Sequence, residues 1–269
     1  MARNSLKNVI KLIDDTKKTL PKERSFLADL KFSIETTAKK NRRKGSQSYK
    51  PSSMNCIRSM YYIVTGTEPD EESIESYTSI GICNAGSDIH ERIQQAVYEM
   101  KENGLDCEYV NVAEYKISRG LDYLQIVEGS DFKHGKYETK LYHKDLKMSF
   151  LCDGLIKYKG VYYILELKTE SANKFFARSG VDPSHYNQGT AYSLALQIPN
   201  VIFVYISRDV LDMKSFMFTP TDEMKEDLVG RIQTCDEYVA KGITPPKPEN
   251  VLKKSCEYCS FRERCRKES

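Results

Sequence analysis

Apolar positions along the chain recur first at helical and later at strand spacing. Leu6, Val9, Ile10 and Ile13 have the helical period. Pro21 suits the first turn of a second helix, whose expected buried stripe is Phe26, Leu27, Leu30 and Ile34. From Lys39 to Ser53 the chain is polar and basic and reads as a loop. A short helix is expected from about Met54 to Val64, capped by Ser52 or Ser53 and ended by Gly66. A longer one is expected from about Asn84 to Asn103, with Ile89, Ile93, Val97 and Met100 as its apolar stripe and Gly104 as its stop. His90 lies beside that stripe, one turn after Gly86.

The pattern then changes to short β-branched and aromatic runs, which read as strands at about Tyr109–Ile117, Leu121–Val127 and Tyr137–Tyr142. Two further runs follow. Phe150-Leu151-Cys152 ends at Asp153, and Val161 to Lys168 contains Glu166-Leu167-Lys168. Lys157-Tyr158-Lys159-Gly160 supplies a turn between them, so a hairpin would bring Asp153 near Glu166. Residues two apart on a strand share a face, so Glu166 and Lys168 point the same way. Ser171–Phe176 and Tyr186–Leu196 read as helices, Asn200–Ser207 as a buried strand, and Thr221–Ala240 as an amphipathic helix. Thr244-Pro245-Pro246-Lys247-Pro248 reads as a stiff linker before Cys256, Cys259 and Cys265. This order predicts an α/β fold with a mixed central sheet flanked by helices. It divides into an N-terminal helical and basic segment, residues 1–50, and one domain over residues 51–269, of which residues 245–269 form a cysteine-bearing end.

Composition narrows the possibilities. At 269 residues, with 40% hydrophobic and 29% charged side chains, the chain suits a folded soluble protein. No stretch reaches transmembrane length and Met1 to Ile13 lacks a signal-peptide core, which predicts a cytoplasmic protein with no membrane partner. A formal charge of +3 is too small to imply a nucleic-acid partner. The basic block Lys39, Lys40, Arg42, Arg43 and Lys44 and the basic C-terminus, Lys253 to Lys267, are where phosphates would be met; each also fits a solvated surface. In a reducing compartment eight cysteines point to metal or cluster ligation more than to disulfides.

Asp153 and Glu166 offer oxygen ligands to Mg2+ or Mn2+, and Lys168 offers a cation beside them. A solvated charged hairpin accounts for the same residues. Asp153 and Glu166-Leu167-Lys168, with their spacing, resemble the PD-(D/E)XK nuclease superfamily, although Cys152 stands where proline is usual. Gly86-Ser87-Asp88-Ile89-His90 resembles the G-x-x-x-H helix motif of RecB-type nucleases, and Gln188-x3-Tyr192 resembles their Q-x-x-x-Y motif. The resemblance implies a restriction-endonuclease-like core and a metal held by His90, Asp153, Glu166 and the Leu167 carbonyl. It further implies that Lys168 positions the attacking water and that Gln188 and Tyr192 line the nucleic-acid path. Glu114 is a candidate extra carboxylate and His185 a weaker candidate.

The segment from Ser52 to Tyr62, with Cys56 inside it, resembles the S-x-x-x-C-x-R-x-x-Y-Y element of the iron–sulfur branch of these nucleases. That branch includes CRISPR-associated exonucleases of spacer acquisition and AddB. There, one early and three late cysteines bind a [4Fe-4S] cluster, which implies Cys56, Cys256, Cys259 and Cys265 as its ligands and a helical cap tied by them. A zinc ion would fit the same spacing. The expected activity is hydrolysis of phosphodiester bonds in single-stranded DNA or DNA ends, by an exonuclease of recombination, repair, phage replication or CRISPR adaptation. A helicase or adaptation protein would be its partner. The alternative is a catalytically silent nucleic-acid-binding or assembly module.

Overall fold

The structure, a computed structural model, describes residues 8, 10–11, 25–41, 47–70, 76–127, 137–249 and 253–268. The chain divides into two compact units, residues 1–42 with 75–81, and residues 43–74 with 82–269. Most of the expected first helix lies outside the described residues, as do Arg42, Arg43 and Lys44. In the first unit, helix α1 spans Phe26–Asn41. Its expected stripe is not buried: Phe26, Leu27 and Leu30 are exposed and Ile34 is half-buried, since no described element covers that face. Glu35 instead accepts a hydrogen bond from the Tyr77 amide at 3.1 Å.

The second unit is built on a five-stranded mixed sheet, with strands β1 (Cys107–Tyr109), β5 (Gly154–Tyr158), β6 (Val161–Glu170), β7 (Val201–Ser207) and β8 (Met213–Phe218) in the spatial order β1-β5-β6-β7-β8. All pairs are antiparallel except β6 with β7, which are parallel. A parallel pair needs a crossover, and the segment holding helices α5 (Ala172–Phe176) and α6 (Tyr186–Leu196) provides it. The expected α/β architecture with a mixed sheet is therefore what the chain adopts. Strands β2 (Leu124–Ile126), β3 (Lys140–His143) and β4 (Met148–Leu151) form a separate antiparallel sheet.

Alternation along β6 sorts its side chains to two faces. Leu165 and Leu167 pack with Ile89 and Ile93 of helix α3 (Tyr77–Glu99). Ile164 joins the main core, with Ala191, Tyr192, Ala195 and Leu196 of α6 and Leu228, Ile232 and Cys235 of helix α7 (Asp222–Lys241). Gly189 brings α6 close to the sheet, where a Cβ would sit 2.9 Å from a Phe218 ring carbon. Helix α7 is capped by Thr221, whose hydroxyl accepts from the Met224 amide at 3.2 Å.

Several expectations are corrected. The strand read at Tyr109–Ile117 stops at Tyr109, because Asn111 caps helix α4 (Val112–Arg119) by accepting from the Ala113 amide at 2.9 Å, and Gly120 closes it at φ 64°. Helix α3 begins earlier and ends earlier than Asn84–Asn103. Helix α2 (Ile57–Val64) has Cys56, not Ser52 or Ser53, at its N-cap. The run ending at Asp153 does not pair with β6. It is β4, paired with β3, and the hairpin partner of β6 is the following strand β5. The hairpin turn contracts to Lys159-Gly160, both at positive φ (50° and 78°), the geometry that matches strand twist in two-residue loops. Asp153 thus occupies the corner where the chain leaves one sheet for the other.

Candidate metal centre

Helix α3 supplies the first ligand-bearing side chain. Gly86 lets it approach β6, since a Cβ there would lie 3.1 Å from the Thr169 hydroxyl. One turn later His90 Nδ1 lies 3.3 Å from Asp153 Oδ1. After another turn comes Gln94, which is buried; its amide donates to the Asp153 carbonyl at 2.7 Å and to Glu138 Oε1 at 3.1 Å. Helical spacing of four places His90 and Gln94 on one face, so one element serves both carboxylates. Each of His90, Glu138 and Asp153 offers a ligand atom within 4.8 Å of the other two, and no other trio of His, Cys, Asp or Glu among the described residues is so close.

The β5–β6 register sets Gly154 opposite Leu165, which carries Asp153 alongside Glu166 and Leu167. Asp153 Oδ2 accepts from the Leu167 amide at 2.6 Å. Tyr109 donates to the Asp153 carbonyl, and Gly154 is the residue that admits its ring, since a Cβ there would overlap the Tyr109 hydroxyl. Asp153 is therefore fixed through its side chain and its backbone. Burial pushes the Glu138 carboxyl upward, with the Gln94 amide opposing.

Glu166 lies on the α6 face of β6 and is 3% exposed. Its Oε1 accepts from Lys168 Nζ at 2.6 Å and from Gln188 Nε2 at 2.7 Å. Gln188 Oε1 accepts from Lys168 Nζ at 2.9 Å, while its Nε2 also donates to the Tyr192 hydroxyl at 2.9 Å. Tyr192 passes the chain on, donating to the Leu151 carbonyl at 2.9 Å. With both ends of its amide engaged, Gln188 has one orientation. The second oxygen, Glu166 Oε2, is buried and has no hydrogen-bond partner among the described residues. Burial raises the Glu166 pKa, Asp153 raises it further, and Lys168 opposes.

An orphaned buried carboxylate oxygen beside two more carboxylates and an imidazole is a costly arrangement for the protein alone. A divalent cation would balance that charge, and an oxygen-rich set with one imidazole suits Mg2+ or Mn2+. The residues present therefore fit such an ion. The structure brings His90, Asp153, Glu166, Leu167, Lys168, Gln188 and Tyr192 into one connected neighbourhood, but the close trio contains Glu138 rather than Glu166. Glu138 was not singled out in the sequence; its one signal is an acid between Tyr137 and Thr139, which are both buried. Glu114 is exposed on α4. His185 precedes α6, with Nδ1 at 2.9 Å from the Tyr205 hydroxyl.

Lys168, Gln188 and His185 also line a cleft of about 780 Å3, as do Cys56, Cys256, Cys259 and Cys265. The C-terminal helices α8 (Lys253–Glu257) and α9 (Arg262–Lys267) are held there by protein contacts. Asp70 accepts from the Glu263 amide at 2.6 Å, and Tyr62 donates to Glu268 at 2.5 Å. Burial pushes the Cys56 thiol up, with the Ser59 and Arg58 amides opposing, and burial raises Cys259 likewise. No three of these sulfurs come within 4.8 Å of one another.

No known family's sequence model matches the chain, and no curated protein matches it. Solved structures resemble it distantly. A protein designated SSO0001 shares 15% identity over 91% of this chain and 98% of its own, with a TM-score of 0.49. An alkaline exonuclease from Laribacter hongkongensis, LHK-Exo, shares 10% identity over 83% of this chain and 95% of its own, with a TM-score of 0.38. The same exonuclease in complex with dAMP gives 11% and 0.40 over the same shares. No helix among the described residues is long and apolar enough to cross a membrane.

Proposed function

We infer that the protein is a metal-dependent nuclease acting on single-stranded DNA or DNA ends. The observation that carries this reading is the buried Glu166 Oε2, left without a hydrogen-bond partner among the described residues while its other oxygen holds Lys168 and Gln188, together with the His90–Glu138–Asp153 trio. His90, Asp153, Glu138 and Glu166 are the residues that would hold Mg2+ or Mn2+. When bound, the ion supplies Lewis acidity and lowers the pKa of water. Lys168, held by Glu166 and Gln188 and still partly exposed, has a donor left to orient the attacking water and to neutralise charge on the phosphate. Gln188 keeps Lys168 and Glu166 in register, and Tyr192 keeps Gln188 in place. The Arg42 and Arg43 block would contact backbone phosphates, and a helicase or an adaptation protein would present the DNA.

The four cysteines are assigned to a [4Fe-4S] cluster rather than to zinc. The resemblance of the Cys56 segment and of the late Cys256, Cys259 and Cys265 set to the iron–sulfur branch supports this reading, as does their lining one cleft. Its role would be to clasp the C-terminal helices to α2, as no step in the reaction calls for electrons. End-labelled single- and double-stranded DNA, incubated with Mg2+, Mn2+ or EDTA, tests the activity. Cleavage that needs the metal and disappears in Asp153→Ala is expected. A folded, metal-binding protein that binds DNA and never cuts it would be the silent module instead.

A further inference from the structure

The cleft beside Lys168 has walls that the catalytic reading does not use. Arg58, Lys168, Lys247, Arg262 and Arg266 line it against one lining acid, Glu257. Some of that charge is already matched: Arg262 and Arg266 meet Glu263 at 3.2 and 3.0 Å, and Arg58 meets Glu268 at 3.4 Å. Lys247 makes no ion pair among the described residues. In the same wall, between Cys256 and Cys259, stands Tyr258, which is 82% exposed. Its ring is a face on which a base could stack. Its neighbours Phe261 and Tyr62, by contrast, pack on each other with ring centroids 5.1 Å apart.

Aromatic faces interleaved with basic side chains are what an unpaired nucleic-acid strand requires, because bases stack while cations follow the phosphates. A duplex has its bases already stacked and offers Tyr258 nothing. The part of this cleft of about 780 Å3 that the cysteine site does not take up is of small-ligand size, which suits nucleotides of one extended strand and not a turn of duplex. Lys168 and Gln188 are among the residues that line the cleft, so a strand lying in it meets the site.

We propose that this cleft is the binding groove for a single DNA strand, with Tyr258 stacking on a base next to the reacting phosphate and Lys247 pairing with the backbone. The proposal rests on the nuclease reading for its orientation, and its test is of binding alone. The full-length protein is titrated in EDTA with a fluorescein-labelled oligodeoxythymidylate and followed by anisotropy, with an equal-length duplex as competitor. Tyr258→Ala is expected to weaken single-strand binding about ten-fold, the size of one base–aromatic stack, while Tyr258→Phe restores it. Lys247→Gln is expected to lower the slope of log affinity against log salt by about 0.7. Undiminished affinity in Tyr258→Ala, equal weakening in Tyr258→Phe, or duplex competing as well as the single strand would each overturn the proposal. If the wild type binds and Tyr258→Ala does not, yet neither cuts DNA with metal, the groove stands and the nuclease reading fails.

Discussion

The amide of Leu167 donates to Asp153 Oδ2 at 2.6 Å, joining the corner between the two sheets to the middle of the central strand β6. That bond leaves Asp153 Oδ1 aimed at His90, and through it helix α3 and strand β6 share one carboxylate. A carboxylate held by the backbone cannot swing away when an ion leaves, so the site is organised before metal binds.

Glu138 separates this arrangement from one built on the hairpin alone. Glu138→Gln keeps the size and the contact with Gln94 but removes a charge. Mn2+ affinity measured by calorimetry is expected to fall about 10- to 100-fold. Glu114→Gln, on the exposed face of α4, is expected to leave it unchanged, and the opposite ranking would return the third carboxylate to Glu114.

Glu166 Oε2 is a buried oxygen that no hydrogen bond satisfies among the described residues. In EDTA, Glu166→Gln is therefore expected to raise Tm by about 2–4 °C, corresponding to about 1 kcal/mol in a chain of this size. The same substitution is expected to abolish the stabilisation that Mg2+ or Mn2+ gives the wild type. A lower Tm in EDTA would mean that the carboxylate is a net structural asset without an ion.

His143 gives a pH signature away from the site. It is 7% exposed, stacks on Tyr123 at 4.4 Å, and its Nδ1 accepts from the Leu146 amide at 3.3 Å, which requires the neutral ring. Burial lowers its pKa below 6.5, so the unfolded chain binds the proton more readily. Its contribution is complete above the unfolded value and is lost as pH falls below 6.5 toward the folded value. Urea midpoints for wild type and His143→Asn, taken between about pH 7 and pH 5, are expected to converge as pH falls. Parallel curves would place the acid sensitivity elsewhere.

The cysteine assignment is read from colour. Protein purified without oxygen is expected to be brown, with broad absorbance in the blue that Cys56→Ser or Cys259→Ser removes. A colourless protein with stoichiometric zinc would replace the cluster with zinc while leaving the clasp in place.

Much of the fold is legible in local chemistry. Tyr186–Leu196, Val201–Ser207 and the Thr221-capped helix emerge close to where apolar period and caps place them. Asn111 with Gly120 shows how a cap and a C-terminal glycine override a run that looks like a strand. The corner at Asp153 was not legible, because pairing partners are chosen by tertiary register, and both β4 and β5 are plausible neighbours for β6. Glu138 was hidden for a related reason. It reaches the site from the end of the second sheet, and nothing local distinguishes it from a surface acid. Gln94 needed the helix and both carboxylates in place before its role could be seen.

The most direct measurement is cleavage of end-labelled single-stranded DNA by Lys168→Ala, with Mn2+ affinity determined on the same folded preparation. Lys168 touches Glu166 and Gln188 but lies outside the His90–Glu138–Asp153 trio. Retained Mn2+ binding with cleavage at least about 100-fold slower is expected, the usual cost of removing one preorganised donor from developing charge. Undiminished cleavage by a folded, Mn2+-loaded Lys168→Ala protein would contradict the account.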